Sequence, residues 1–330
     1  MESHGKYKLK TPILFLIFNR RNTAEQVFEK IREQQPKYLY IAADGPRPNV
    51  PDDQENCRKT RAIIDLIDWD CELKTLFRDE NLGCRNNVSQ AISWFFENVE
   101  EGIILEDDCL PDPSFFQFCE EMLEFYRHDT RIMHISGNNF QQGIQRGTGS
   151  YYFSHIPHIW GWATWRRAWK YYDVNIASYG DVVLKNNHQL FHHRELMDYY
   201  KPAFYNVYAK GFNTWDSQWN YIINEQHALS ILPNVNLISN IGFSPDALHT
   251  KQLDHPYNNL PCKAMEFPLK HPRQMFPDVH ADMLTILREV SSRSILRWMA
   301  RSLLKDWLPG FLQNRKILLT ARLLNKQRKQ

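Results

Sequence analysis

The chain is expected to fold as an α/β protein around a mixed, mostly parallel sheet flanked by helices, and three features of the sequence lead there. Apolar runs of strand length alternate with helical patterns up to residue 136. Each run ends in a polar loop, as happens where parallel strands hand over to crossover helices. With 330 residues, 43% hydrophobic and 13% aromatic, the chain can bury a core of this kind plus a modest extension.

The first run, Pro12 to Phe18, is seven residues long. That is too short to cross a bilayer, which takes roughly 20 residues, and too short for most secretory leaders. It reads as a buried first strand. Polar Asn19-Arg20-Arg21-Asn22 follows, then a helical pattern through Val27, Phe28 and Ile31. Tyr38 to Ala43 is a second apolar strand, stopped by the turn residues Asp44-Gly45-Pro46. The unit repeats with a helix around Thr60 to Ile67 and a strand at Glu72 to Phe77. The next helix carries Val88, Ala91, Ile92, Phe95, Phe96 and Val99 on one face. Gly102-Ile103-Ile104-Leu105 forms a short buried strand that runs directly into Glu106-Asp107-Asp108. Pro111, Pro113 and Ser114 open a helix with Phe115, Phe118, Cys119, Met122 and Tyr126 on a shared face. Arg131 to Ser136 reads as a fifth strand, and beyond about Gly137 the alternation gives way to irregularly spaced Trp, Tyr, His and Asn.

Charge is unevenly distributed. Residues 291–330 hold ten Lys/Arg and one Asp, a charge of +9, so the preceding 290 residues balance to −7 within the total of +2. In that tail Leu296, Trp298, Met299, Leu303, Leu304, Trp307 and Leu308 alternate with Arg297, Arg301 and Lys305. The pattern suits a helix lying on an anionic membrane surface and equally a helix packed on the domain. Nucleic-acid binding is disfavoured, because basic charge is confined to one tail and no nucleic-acid motif is present. The six cysteines show neither a C-x-x-C pair nor regular spacing. A zinc site and a disulfide framework are therefore not expected, and a reducing, cytoplasmic location fits, with the tail at the inner face of the membrane.

Three consecutive carboxylates after a buried strand raise one another's pKa unless a cation is nearby. In an open parallel sheet, ligands bind beyond the carboxyl ends of the strands, which is where Glu106-Asp107-Asp108 falls. Carboxylate oxygens suit Mg²⁺ or Mn²⁺, which keep positions open for diphosphate oxygens. An acidic loop before a helix ordinarily caps that helix. Here Asp112 and Ser114 are placed to do so, which leaves the triplet without a capping job.

The stretch Glu101-Gly102-Ile103-Ile104-Leu105-Glu106-Asp107-Asp108-Cys109-Leu110-Pro111-Asp112-Pro113-Ser114-Phe115-Phe116 resembles the segment around the Glu-Asp-Asp motif of N-acetylglucosaminyltransferase I and related bacterial nucleotide-diphospho-sugar transferases of GT-A, Rossmann-like fold. The resemblance implies an inverting glycosyltransferase that moves a sugar from a nucleoside diphosphate sugar, UDP-linked, to a glycan or lipid-linked acceptor. It implies that Asp108 ligates Mn²⁺ or Mg²⁺ while Glu106 and Asp107 touch the nucleotide or donor sugar. Arg20 and Asp44 stand where family members place an Arg and an Asp to hold the uridine. Asn81 to Asn87 resembles the family's loop near the nucleotide, with Arg85 as a candidate phosphate or nucleotide contact. In this reading residues 1–136 are the nucleotide-sugar-binding half, 137–281 the acceptor-binding and catalytic half, and 282–330 a basic amphipathic helical tail.

On the acceptor side, Trp160, Gly161 and Trp162 belong to an aromatic cluster whose flat faces match sugar rings or fill a core. Trp215-Asp216-Ser217-Gln218-Trp219 is similar to the family's Trp-Asp-Asp-Trp segment, whose second Asp is the catalytic base. Ser-Gln replaces that second Asp here, which leaves Asp216 as the base, with an N-cap as its ordinary alternative. A polar loop, Ser239 to Thr250, carries Asp246 and His249, and His249 is a candidate ligand for the diphosphate or metal. Two other readings stand beside this one. A sugar nucleotidyltransferase would want a Gly-rich loop after the first strand, and Asn19-Arg20-Arg21-Asn22 has no glycine. A catalytically silent relative would bind a sugar nucleotide or glycan without a carboxylate at the anomeric carbon.

Overall fold

A computed structural model describes residues 9–185, 190, 191, 193–243 and 257–289. The chain divides into two units, Met1–Asp282 and Met283–Gln330, and of the second only the end of one helix is described. The tail at 291–330, and with it the membrane expectation, lies outside the described residues, as do Asp246 and His249. Among the described residues no helix is long and apolar enough to cross a membrane.

The opening alternation is realised as β1 (Ile13–Ile17), α1 (Arg21–Gln34), β2 (Tyr38–Ala43), α2 (Asp53–Arg61), β3 (Glu72–Phe77), α3 (Gly83–Asn98) and β4 (Glu101–Glu106). β1 is buried along its whole length, as its uninterrupted apolar run requires of a central strand. The apolar stripe of α3 is buried from Val88 to Phe96. The helix expected over Thr60 to Ile67 starts earlier, at Asp53, and tightens into a 3-10 turn over Ala62–Leu66. Periodicity misses its first turns because α2 buries only Asp53, Cys57 and Thr60.

After β4 come β5 (Cys109–Pro111), α4 (Ser114–Phe125) and β6 (Ile132–Ser136). Asp112 Oδ1 accepts from both the backbone N–H (2.9 Å) and the hydroxyl (2.6 Å) of Ser114, so the α4 cap is supplied without the acidic triplet. Residues past Gly137 add β7 (Tyr151–Ser154), β8 (Trp162–Trp165), α5 (Arg166–Trp169), α6 (Arg194–Lys210), α7 (Asp216–Glu225), β9 (Leu229–Pro233), β10 (Ile238–Asn240) and α8 (Val279–Glu289).

The strand order is β3-β2-β1-β4-β8-β6-β9-β7, with β8 and β7 antiparallel to the other six. This is the mixed, mostly parallel α/β sheet that the sequence predicts. Strands β1 to β4 therefore end at one edge, and the triplet is the last residue of β4 plus the two that follow. A small two-stranded ribbon lies over that edge, in which β10 pairs antiparallel with β5 and Asn240 faces Cys109. Gly161 permits the approach: its φ is +64°, and a Cβ there would lie 2.5 Å from Ile238 Cδ1.

Under the second half of the sheet an aromatic pack fixes α7 against β8 and β6. Trp162 stacks on Trp215 (centroids 5.6 Å apart) and on His134 (5.1 Å). Trp219 Nε1 donates to His134 Nδ1 at 3.2 Å, and His134 Nε2 lies 3.0 Å from His158 O. Burial pushes the His134 imidazole down to about 3, so it is neutral, and the two contacts assign its proton to Nε2.

At the far side of the sheet, Phe153 bridges Pro277, and Asp282 accepts from Ser154 Oγ and from His155 N at 3.1 Å. Burial pushes the Asp282 carboxyl up to about 7, with Asp278 adding to the shift and Arg146 opposing it. A carboxyl raised above its unfolded value stabilises the fold below the unfolded pKa and loses that contribution as pH rises through the folded one. Raising the pH from about 5 to about 8 is therefore expected to lower the thermal midpoint of the wild type more than that of Asp282→Asn.

Candidate active site

Beyond the ends of β1 to β4 the chain leaves a cleft of about 340 Å³, lined by Arg20, Asp44, Glu106, Asp107 and Asp108 together with Arg47, Asn81, Cys84, Asn213, Asn240 and Gly242. Five of the residues singled out in the sequence thus converge on one space. They come from the ends of three neighbouring strands.

Arg20 is the residue that makes the acidic edge tolerable. One nitrogen, Nη2, donates to Asp107 Oδ1 and, at 2.9 Å, to Asp108 Oδ2. Asp107 is 3% exposed and accepts a second bond from Phe18 N at 3.2 Å. Burial works to lower the Arg20 guanidinium, but Asp107 and Asp108 outweigh it and hold the group charged. Glu106 and Asp107 are both pushed up, by burial first. Asp108 and Asp107 add to the shift at Glu106, whereas Arg20 opposes it at Asp107.

Asp44 acts as a staple. Its Oδ1 accepts from Gly45 N (2.9 Å) and Leu82 N (2.8 Å), and its Oδ2 from Gly83 N (3.0 Å) and Asn81 Nδ2 (3.1 Å). These bonds tie the loop that opens α3 to the end of β2. Burial raises the carboxyl while the three backbone donors pull it back. Asp44 lines the cleft, yet most of its acceptor capacity is already used.

A second clip stands beside it. Asp53, 2% exposed, accepts from Arg47 through Nε (2.7 Å), Nη2 (2.9 Å) and the backbone N (3.0 Å), and from Asn19 Nδ2 at 2.6 Å. Arg47 holds the Asp53 carboxyl below its ordinary value, and the guanidinium lies 5.4 Å from the centre of the Phe18 ring. Asn19 and Asn81 sit just past strand ends, a position that marks them in the sequence; nothing local pairs Arg47 with Asp53.

The β5–β10 ribbon and the residues after it close the cleft over Asp108. Ile241 N donates to Asp108 O at 2.9 Å, and Gly242 N to Asn240 Oδ1 at 2.9 Å. A Cβ on Gly242 would lie 2.1 Å from Asp108 Oδ2. Only a glycine leaves that carboxylate where it stands.

The remaining candidates are placed differently. Arg85 does not line the cleft; its Nη2 donates to Val174 O (2.9 Å) and Asn175 Oδ1 (2.7 Å). Asp216 opens α7, and both Thr214 Oγ1 and Ser217 N (2.8 Å) donate to its Oδ1. Among the described residues none donates to its Oδ2. Its charge contributes to raising Glu106 and the Cys84 thiol, which puts it within electrostatic reach of the cleft. Asn213 explains this position: its Oδ1 accepts from Arg85 N at 3.0 Å, fastening the segment before α7 to the start of α3. Trp162 is fully buried in the aromatic pack, whereas Trp160 is partly exposed and meets Phe140 and Phe243 edge-on at 5.3 and 5.8 Å. Neither Trp160 nor Gly161 lines the cleft.

No group of three or more His, Cys, Asp or Glu arranged as a metal cage occurs among the described residues. The donor set still suits Mg²⁺ or Mn²⁺, which are commonly held by one or two carboxylates plus substrate phosphate oxygens. Asp44, Glu106, Asp107 and Asp108 face only Arg20 and Arg47 across the cleft. An anionic ligand there would meet a predominance of carboxylates, which a divalent cation would offset.

No family model matches the chain, and no curated protein matches it. Among solved structures, HddC from Yersinia pseudotuberculosis is 11% identical over 53% of this chain and 86% of its own, with a TM-score of 0.31. The glycosyltransferase GlyE of Streptococcus pneumoniae TIGR4 is 11% identical over 67% of this chain, with a TM-score of 0.29, and this chain spans 45% of GlyE. A glycosyltransferase involved in glycosylation of the major capsid of PBCV-1 is 12% identical over 66% of this chain and 92% of its own, at 0.25. Scores this low assign neither activity nor substrate to this chain.

Two substitutions test the geometry of the cleft. Asp44→Asn turns an NH₂ toward donors that now meet a carboxylate and is expected to destabilise the fold by about 1–3 kcal/mol, measured by denaturant unfolding. Gly242→Ala is expected to fold, with circular dichroism unchanged, and to displace the Asp108 carboxylate from Arg20, read as a shift of the Arg20 guanidinium signals in nuclear magnetic resonance.

Proposed function

We propose that this protein is a metal-dependent, inverting glycosyltransferase of GT-A type that takes its sugar from a nucleoside diphosphate sugar, UDP-linked, and passes it to a glycan or lipid-linked acceptor. The observation that carries this reading is the convergence of Arg20 with Glu106, Asp107 and Asp108 in one cleft at the carboxyl ends of parallel strands, where α/β sheets bind nucleotides. At about 340 Å³ the cleft is within the range of small-molecule sites, about 300–1,000 Å³.

In this mechanism Asp216 removes the proton from the acceptor hydroxyl. The resulting oxygen forms a bond to the anomeric carbon from the face opposite the diphosphate, and the bond from that carbon to the diphosphate oxygen breaks. One carboxylate suffices for a direct displacement, and the configuration inverts. Asp108 would hold the divalent cation, which supplies positive charge for the departing diphosphate, and Glu106 would meet the nucleotide or donor sugar. Arg20 would supply further charge beside Asp108. The loop Asn19-Arg20-Arg21-Asn22, without glycine, disfavours the wrapping of a triphosphate.

A thermal-shift screen of nucleotide sugars with and without Mn²⁺ is expected to find at least one that stabilises the wild type in a Mn²⁺-dependent way and leaves Asp108→Ala unshifted. Stabilisation by nucleoside triphosphates alone would instead favour a nucleotidyltransferase. Asp216→Asn is expected to retain the donor-induced shift while turnover falls by about 10²- to 10⁴-fold, and an unchanged rate would remove Asp216 from the role of base.

A further inference from the structure

Arg20 already supplies positive charge beside the triplet. The same nitrogen bridges Asp107 and Asp108, on consecutive residues. The two bonds are not equivalent. Asp107, whose side chain is 4% exposed, is also fixed by Phe18 N, so its half of the bridge is an anchor. The Asp108 side chain is 17% exposed and lines the cleft under Gly242, and the Arg20 side chain is itself 34% exposed. Arg47, the other guanidinium lining the cleft, is committed to buried Asp53 through two of its nitrogens and its backbone. Arg20 is therefore the guanidinium that can change partners when a diphosphate arrives.

We propose that Arg20 is an internal placeholder cation. Without ligand it neutralises Asp108; when a nucleoside diphosphate enters, Arg20 Nη2 keeps its bond to Asp107, the remaining guanidinium N–H groups turn to the phosphate oxygens, and Asp108 is released to a divalent cation. The inference rests on the metal-dependent reading above and adds an order to it. Cation and nucleotide bind with positive coupling, because each removes the competitor of the other, and such coupling is reciprocal. Arg20 then has opposite effects on the two ligands. It opposes the cation alone and favours the nucleotide alone, whereas a residue that merely holds its loop in shape would favour both.

The test uses the full chain as wild type, Arg20→Gln and Arg20→Lys. Mn²⁺ binding is followed by electron paramagnetic resonance with and without UDP, and UDP binding without metal by calorimetry. Wild type is expected to bind Mn²⁺ about tenfold or more tightly with UDP than without it. Arg20→Gln is expected to bind Mn²⁺ alone roughly tenfold more tightly than wild type does, and UDP alone more weakly. Arg20→Lys, which keeps a cation in place, is expected to stay within about threefold of wild type toward Mn²⁺ alone. If Arg20→Gln takes up Mn²⁺ no better than wild type, while wild type takes it up with UDP, the placeholder is overturned and the transferase reading stands. Should Arg20→Gln fail to fold, equal Mn²⁺ affinity of wild type with and without UDP overturns it as well. If wild type binds neither Mn²⁺ nor UDP, alone or together, the reading beneath falls and the placeholder with it.

Discussion

The carboxyl edge of this sheet depends on one guanidinium held between two carboxylates. Glu106, Asp107 and Asp108 follow a strand buried from Gly102 to Leu105, and burial raises the first two because a charged carboxyl in a poorly solvated place is unfavourable. Arg20 reaches them from the loop after β1, which runs beside β4 in parallel register, with Leu16 opposite Glu106. The register of two strands thus delivers a cation to the acids. Without that pairing the edge would carry carboxylates with no nearby positive charge.

Other parts of the molecule serve to keep this edge open and rigid. Asp44 consumes its lone pairs on the loop that starts α3, and Asp53 consumes its own on Arg47 and Asn19, so the rim between β2 and α3 is fastened by carboxylates that are themselves satisfied. Gly242, just past the β5–β10 ribbon, roofs Asp108 at a distance only glycine allows. The aromatic pack of Trp162, Trp215, Trp219 and His134 is the foundation of α7, and its neutral, hydrogen-bonded imidazole leaves no buried charge there. That foundation holds Asp216 within electrostatic reach of the cleft without lining it, with Asn213 as the link to α3.

The first half of the fold was legible because strands covered on both faces read as unbroken apolar runs, and β1, β2 and β4 are of that kind. The second half was less so. Trp162-Ala163-Thr164-Trp165 reads as an aromatic cluster and is in fact β8, inserted antiparallel between β4 and β6. The loop read from Ser239 onward in fact begins inside β10, Ile238–Asn240, where β5 offers that segment a partner. In the cleft, Arg20, Asp44 and the triplet were visible as polar residues at strand ends. Their bonds were not, since Arg20 lies 87 and 88 residues from its partners, and a contact at that separation leaves no periodicity in the sequence. Asn213 and Gly242 gave no signal for the same reason: each matters only through a segment more than a hundred residues away.

Proton NMR of nucleotide sugars incubated with the protein tests the central claim most directly, because it identifies both the bond that breaks and the configuration at the anomeric carbon. The expected result is slow release of a nucleoside diphosphate from one donor, dependent on Mn²⁺ or Mg²⁺, with the freed or transferred sugar appearing first as the inverted anomer. Release of pyrophosphate from a triphosphate, first appearance of the retained anomer, or no turnover of any nucleotide sugar with either cation would contradict it.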